Sequence, residues 1–367
     1  MLLHTAYAGL RVALSLRAIS LHASPFTIGM LMSLLALLPA MYSVGAGRLI
    51  DRIGVRAPML VAACGVCAAA TLAAALPQLA ALFAVSLLAS GFMLYHIAIH
   101  HVIGVTGDPG RRVRSFSMLA LAFSTATFVG PMIVGFLIDG VGYRWTFVVM
   151  ALFAAAATIA IWRVRIELPK HPDSGRARGK RHITDLLRIP LLRRVFVSSA
   201  LLSMTWDLYT FVLPIYGTRI GLSASQIGLA LAAFGGATAL VRLLIPLVER
   251  HLHQWTMLIG SMAVPAGVFV VFPYVENVAL LGVLGFVLGL GLGSAQPMVL
   301  SLIYELTPAG RGGEAVGVRS LLITGSQTTI PLLFGALGAA VGMAPVFWTM
   351  ALCLAGGAFY ARKRPPE

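Results

Sequence analysis

The sequence predicts an all-α membrane protein of twelve transmembrane helices arranged as two pseudo-symmetric six-helix bundles, and three observations carry that prediction. Only 11% of the 367 residues are charged and 59% are hydrophobic, whereas soluble domains carry about 25% charged residues. Twelve apolar segments follow one another, each near the roughly 20 residues that a helix needs to cross the hydrocarbon core. The two sets of six repeat each other at an offset near 200 residues, as duplicated bundles do. This composition excludes a disordered chain, a disulfide-stapled secreted domain and a collagen-like repeat.

The segments run 2–22, 26–47, 58–77, 79–104, 115–138 and 144–162, then 195–217, 222–248, 254–274, 278–304, 315–342 and 345–361. The first is the least apolar, because it carries His4, Arg11 and Arg17, and the chain begins almost inside it. The charge count requires it all the same. Arg48, Arg52 and Arg56, then Arg111, Arg112 and Arg114, then Arg250, Arg311, and finally Arg362, Lys363 and Arg364 fall on alternate connections, while the intervening ones hold only Arg17, Arg144 and Arg219. This is the positive-inside asymmetry. It predicts an even number of spans and two cytoplasmic termini in a cell (inner) membrane. The net charge of +15 therefore reflects topology, and no nucleic-acid partner is expected. No cleavable signal peptide is expected either, since no small-residue cleavage site follows the first apolar stretch.

One sizeable hydrophilic stretch, 163–194, divides the chain into an N-terminal bundle, 1–162, and a C-terminal bundle, 195–367. It reads as a basic cytoplasmic linker. Within it 183–192 is amphipathic, with Thr184 as a helix cap and Leu186, Leu187, Ile189, Leu191 and Leu192 as an apolar face for the anionic inner leaflet.

The repeat is specific. Pro131, Gly135, Gly142 and Phe147 fall on Pro331, Gly335, Gly342 and Phe347, and Gly91 falls on Gly291; Ser24, Ile28 and Gly29 match Ser223, Ile227 and Gly228 at an offset one residue shorter. Cys64 and Cys67 lie in an apolar run without a nearby His or carboxylate, so they read as small packing residues and no metal site is expected.

The connection after the second span reads Gly47-Arg-Leu-Ile-Asp51-Arg52-Ile-Gly54-Val-Arg56. It resembles the signature loop of the major facilitator superfamily, and the resemblance covers essentially the whole chain. It implies that Gly47, Asp51, Arg52, Gly54 and Arg56 form a conformational latch, holding the two bundles together on the cytoplasmic side in one state and releasing them in the other. Glycine suits close helix contact and a tight turn, and a carboxylate can accept hydrogen bonds from a helix N-terminus. The matching loop of the second half, 247–253, has lost the glycines. In the fifth span Gly130-Pro131-Met-Ile-Val134-Gly135 is similar to the Gly-Pro element of proton-linked exporters, with Val134 in place of a glycine. Gly130, Pro131, Gly135 and Pro331 are accordingly expected to bend their helices.

Charged residues inside hydrocarbon are costly and mark function by default. Asp207, near the middle of the seventh span, and Arg11, near the middle of the first, stand out. Counted from the paired Ser24 and Ser223 they lie about one helical turn apart in the duplicated frame, and the resemblance places the first, fourth, seventh and tenth spans around a central cavity. Arg11 and Asp207 are expected to face each other across it. Low-dielectric surroundings favour the neutral acid while a guanidinium favours the anion, so a proton or a substrate can tip the balance. Tyr95, His96, Trp206, Tyr209 and Gln296 complete the candidate substrate and proton cavity, His96 and Gln296 being equivalent at the offset of 200. The arginine that many proton-linked members carry in the fourth span is missing, with Ser86 and Leu87 in that region.

No nucleotide-binding loop is present, so the energy source is expected to be a gradient rather than ATP. The expected function is secondary transport of a small molecule by alternating access, as proton-coupled export, with import or uniport by the same fold and a transporter-like sensor as the rival readings. A monomer in the lipid bilayer, with protons as possible co-substrate and no cofactor, completes the expectation. An enzyme is not expected.

Overall fold

The structure, a computed structural model, describes residues 1–106, 109–164, 184–248, 253–308 and 311–362. Every regular element among them is helical. The N-terminal bundle comprises α1 (Leu2–Ser20), α2 (Pro25–Ile53), α3 (Arg56–Ala75), α4 (Leu79–Ala89), α5 (Phe92–Thr106) and α6 (Pro109–Arg163). After the short α7 (Thr184–Arg188), the C-terminal bundle comprises α8 (Pro190–Arg219), α9 (Ala224–Val248), α10 (Gln254–Val271), α11 (Val278–Leu306), α12 (Gly312–Val341) and α13 (Met343–Arg362).

The helices give the twelve crossings once two irregularities are read physically. The fourth span is α4 plus α5, interrupted between Ala89 and Phe92. The fifth and sixth are joined in α6, whose run Met118–Arg163 of 46 residues would reach about 69 Å as one straight helix, more than twice the ~30 Å hydrocarbon core. It is broken at Gly142 (φ 81°, ψ 172°). Among the described residues α1 misses the apolarity of a free-standing span and is held by packing against α6; in α2 the described apolar run is Pro25–Leu37, and the helix packs on α12.

Tight turns explain several glycines. Gly54, Gly142 and Gly342 have φ of 80°, 81° and 88° with ψ of 172°, 172° and 179°, a region that residues with a Cβ avoid. The signature-loop glycine and the repeated pair thus make one kind of turn, joining the second span to the third, the fifth to the sixth and the eleventh to the twelfth.

The segment 183–192 departs from expectation. Its helix ends at Arg188, before Pro190 opens α8, and Leu186 and Leu192 are fully buried. α7 packs against α8 with Leu186 turned inward, while Leu187 stays exposed.

Between the bundles α6 packs on α9 and α2 on α12, a symmetric pair of seams. A Cβ added at Gly228 would lie 2.5 Å from Pro131 O, one at Gly135 2.5 Å from Ala224 O and one at Gly335 2.8 Å from Pro25 O, and one at Gly29 would collide with Pro331 O. Residues that align the two halves in sequence are therefore the residues where the halves touch. Pro131 and Pro331 lie inside α6 and α12, and Gly130 meets α1, where an added Cβ would come within 2.9 Å of Thr5 O. These positions let backbones approach, as small residues do in membranes.

Candidate functional site

The site is built where the first helices of the two bundles meet. Arg11 of α1 places Nη2 3.7 Å from Oδ1 of Asp207 in α8. Asp207 is buried, its Oδ2 has no hydrogen-bond partner among the described residues, and the Gln327 side chain of α12 lies beside it. The two partners are unequally accessible: 27% of the Arg11 side chain is exposed and 4% of that of Asp207. The nearby guanidinium offsets part of the cost of burying this carboxylate.

The N-terminal bundle contributes rings, of which Tyr7 lies beside the pair. Tyr7 stacks flat on Phe92 with centroids 4.0 Å apart, and His4 and His96 both stack on Phe123, at 4.4 and 5.0 Å. His100 lies 4.5 Å from His96. From the C-terminal bundle Trp206 packs edge-on against Phe234 at 4.6 Å, and Gln296 is exposed in α11. Its Oε1 accepts a 2.8 Å hydrogen bond from Arg242 Nη2, while Arg242 Nη1 donates to Ala120 O at 3.0 Å and to Ser124 Oγ at 2.5 Å on α6. Arg319 of α12 donates to Ser199 Oγ of α8 at 3.0 Å.

Two expected cavity residues belong elsewhere. Tyr209 is fully buried, and its hydroxyl donates to Ala230 O at 3.2 Å inside the C-terminal bundle. It lies two residues, about 200° of helix, beyond Asp207 and so points the other way. Tyr95 is 8% exposed and sits in the core against Phe92.

In the signature loop, Arg56 Nη2 donates to the Trp162 carbonyl at the end of α6, within its own bundle. Gly47 and the side chains of Asp51 and Arg52 lie outside the described residues, as does 249–252 of the matching loop. Cys64 and Cys67 are free and line a 620 Å³ groove between α3 and α6. Among the described residues no group of three His, Cys, Asp or Glu could hold a metal ion.

Sequence reasoning overlooked Asp139. From the end of the fifth span its Oδ1 and Oδ2 accept from the backbone N–H groups of Ala224 and Ser225, at 3.1 and 2.8 Å. It caps the N-terminus of α9 from across the interface, where the helix leaves its first N–H groups unsatisfied. With twelve crossings both termini share one face, and this contact is on the opposite one. Arg242 and Arg319 were overlooked too, although both fall within predicted spans and the intramembrane-charge criterion applied to them.

A family model described as Major Facilitator Superfamily matches residues 1–322 and again 195–367. The chain is 25% identical over 332 residues to the tetracycline resistance protein, class G, of Vibrio anguillarum, covering 87% of this chain and 82% of that protein. Solved structures share the fold at 14% identity. A POT family transporter in complex with 5-aminolevulinic acid superposes with a TM-score of 0.76 over 98% of this chain and 92% of its own, and the nucleoside transporter NupG with 0.77 over 98% and 96%.

Proposed function

The chain belongs to the Major Facilitator Superfamily, a family of multi-pass membrane transporters and not of enzymes, and from that premise we propose that it exports a small molecule from the cytoplasm by alternating access, coupled to protons at Asp207. One observation carries the reading: a buried carboxylate and a partly exposed guanidinium, one from each bundle, stand 3.7 Å apart where α1 meets α8. An ion pair spanning two bodies that rock against each other changes its surroundings in every cycle, so ionisation of Asp207 and the conformational equilibrium are linked.

Export is supported by the likeness to a resistance protein and by the Gly130-Pro131 element. The basic connections assign the face with the termini to the cytoplasm of a cell inner membrane. We divide the chain at 163–194, and assign Gly47, Asp51, Arg52, Gly54 and Arg56 to a cytoplasmic latch that closes when the opposite face opens. The protein works as a monomer.

Direction is tested in vesicles of known orientation. Compounds are first selected by their thermal stabilisation of the purified protein, then loaded. Gradient-driven accumulation in inverted vesicles is expected; accumulation in right-side-out vesicles instead would make the protein an importer.

A further inference from the structure

The charges inside the spans are unbalanced. Of the described acids on the spans, Asp139, Glu305 and Glu314 lie within a turn of a helix end or break, and Asp207 alone lies deeper. Among the described side chains three guanidinium groups lie well inside helices against it: Arg11, Arg242 and Arg319. Among the described residues every hydrogen-bond acceptor of Arg242 and Arg319 is neutral, namely Ala120 O, Ser124 Oγ and Gln296 Oε1 for the first and Ser199 Oγ for the second. Both residues lie toward the face with the termini, Arg242 near the end of α9 and Arg319 near the start of α12.

The central pair has the same polarity. Because 27% of the Arg11 side chain is exposed against 4% for Asp207, a molecule entering between the bundles meets the cation, and the carboxylate is packed behind it. Nη2 is 3.7 Å from Oδ1, longer than a hydrogen bond. Guanidinium offers five N–H donors in a planar fork, and Arg11 directs one arm of it at Asp207. Asp207 engages one arm of the fork, and among the described residues the other donors have no protein acceptor.

We propose that the substrate is an organic carboxylate whose anionic group is held by Arg11, with Arg242 and Arg319 drawing it in from the face that carries the termini. The proposal rests on the transporter reading above and names its substrate class. A carboxylate matches the planar fork with two parallel hydrogen bonds and offsets the excess positive charge, which is costly in low dielectric when left alone. Asp207 then acts as the internal occupant of Arg11 in the empty transporter and competes with the substrate for the same guanidinium. An ammonium substrate would need the opposite arrangement, an exposed carboxylate backed by a buried cation.

The competition gives a test with opposite signs for the two charge classes. Purified protein in lipid nanodiscs is titrated with matched triads: benzoate, benzamide and benzylammonium, and hexanoate, hexanamide and hexylammonium. Binding is read from the fluorescence of Trp206, next to Asp207 in α8, with the other four tryptophans replaced by Phe, and from thermal midpoint. A carboxylate is expected to bind about 10- to 100-fold more tightly than its amide, the range set by charge-assisted hydrogen bonds, and the ammonium not at all. Asp207→Asn, by removing the competitor, is expected to tighten carboxylate binding, and Arg11→Gln to abolish it. Arg11→Lys, which keeps the charge but not the fork, should retain only part of it. Where a single variant fails to fold, the wild-type triads and the double variant Arg11→Gln/Asp207→Asn, expected to lose the preference for carboxylate, decide. Preference for the ammonium, no preference by charge, or no binding in either triad overturns the proposal. Substrate-class failure leaves the transporter reading standing if the protein still moves other compounds in vesicles; that reading fails separately if it moves none.

Discussion

A carboxylate as enclosed as that of Asp207, with one oxygen unbonded among the described residues, depends on the Arg11 guanidinium 3.7 Å away. Arg11→Gln alone strands the acid, and the expected loss of stability is about 3–5 kcal/mol, the usual consequence of breaking a buried pair from one side. Arg11→Gln combined with Asp207→Asn should recover most of it, since an amide pair leaves no charge behind. Denaturant titration of the single and double variants in detergent checks this, and additive losses would mean that the two side chains are energetically independent. Both residues were legible in the sequence because a charge in an apolar run stands out. Arg242 and Arg319 met the same criterion but sit closer to helix ends, where long cationic side chains ordinarily reach for the interface, and the sequence does not show that theirs turn to neighbouring helices instead. Asp139 read as a connection acid, since its partners are backbone N–H groups that no side-chain pattern encodes.

The seams between α6 and α9 and between α2 and α12 depend on backbone contact at Gly228, Gly135, Gly29 and Gly335, and Asp139 ties one of them. Gly228→Val puts a branched side chain against the Pro131 carbonyl and should prevent the seam from closing. The protein is expected to stay folded and inserted, because each bundle keeps its own core, while transport falls to background. Transport at the wild-type rate would show that closure at this seam is dispensable. Asp139→Ala, which removes the cap outright, is milder. Losing the charged cap should weaken closure by about 0.5–2 kcal/mol, seen as faster labelling of a cysteine at Ser225 by an impermeant maleimide from the face opposite the termini. Helix positions, the duplication with its Gly142 and Gly342 pair, and the turn at Gly54 were legible, since hydropathy, offset and turn chemistry are local signals. That the Pro131 and Pro331 carbonyls lie against Gly228 and Gly29 of the other bundle was not, because proline in a helix suggests a bend whether or not another backbone lies against it. Tyr209 was misplaced for a related reason: the spacing of polar residues along α8 does not say which face a tyrosine takes until its neighbours are known.

At the scale of the whole molecule the account is a topology and a cycle. In a background without Cys64, Cys67 and Cys353, cysteines placed at Arg52, Arg112, Arg178 and Arg311 are expected to react from the cytoplasmic side, and at Arg144 and Arg219 from the other. Reversed labelling in either half would overturn the assignment of faces. The cycle is tested most directly by reconstituting wild type and Asp207→Asn side by side with one compound that both bind, and measuring net gradient-driven movement against counterflow exchange. Amide and carboxyl are nearly the same shape, so the substitution removes little but ionisation. The account predicts that Asp207→Asn inserts, binds the compound and exchanges it, yet does not accumulate it against a gradient. Accumulation at the wild-type rate by the folded Asp207→Asn protein would contradict it, leaving the Arg11–Asp207 pair no part in driving transport.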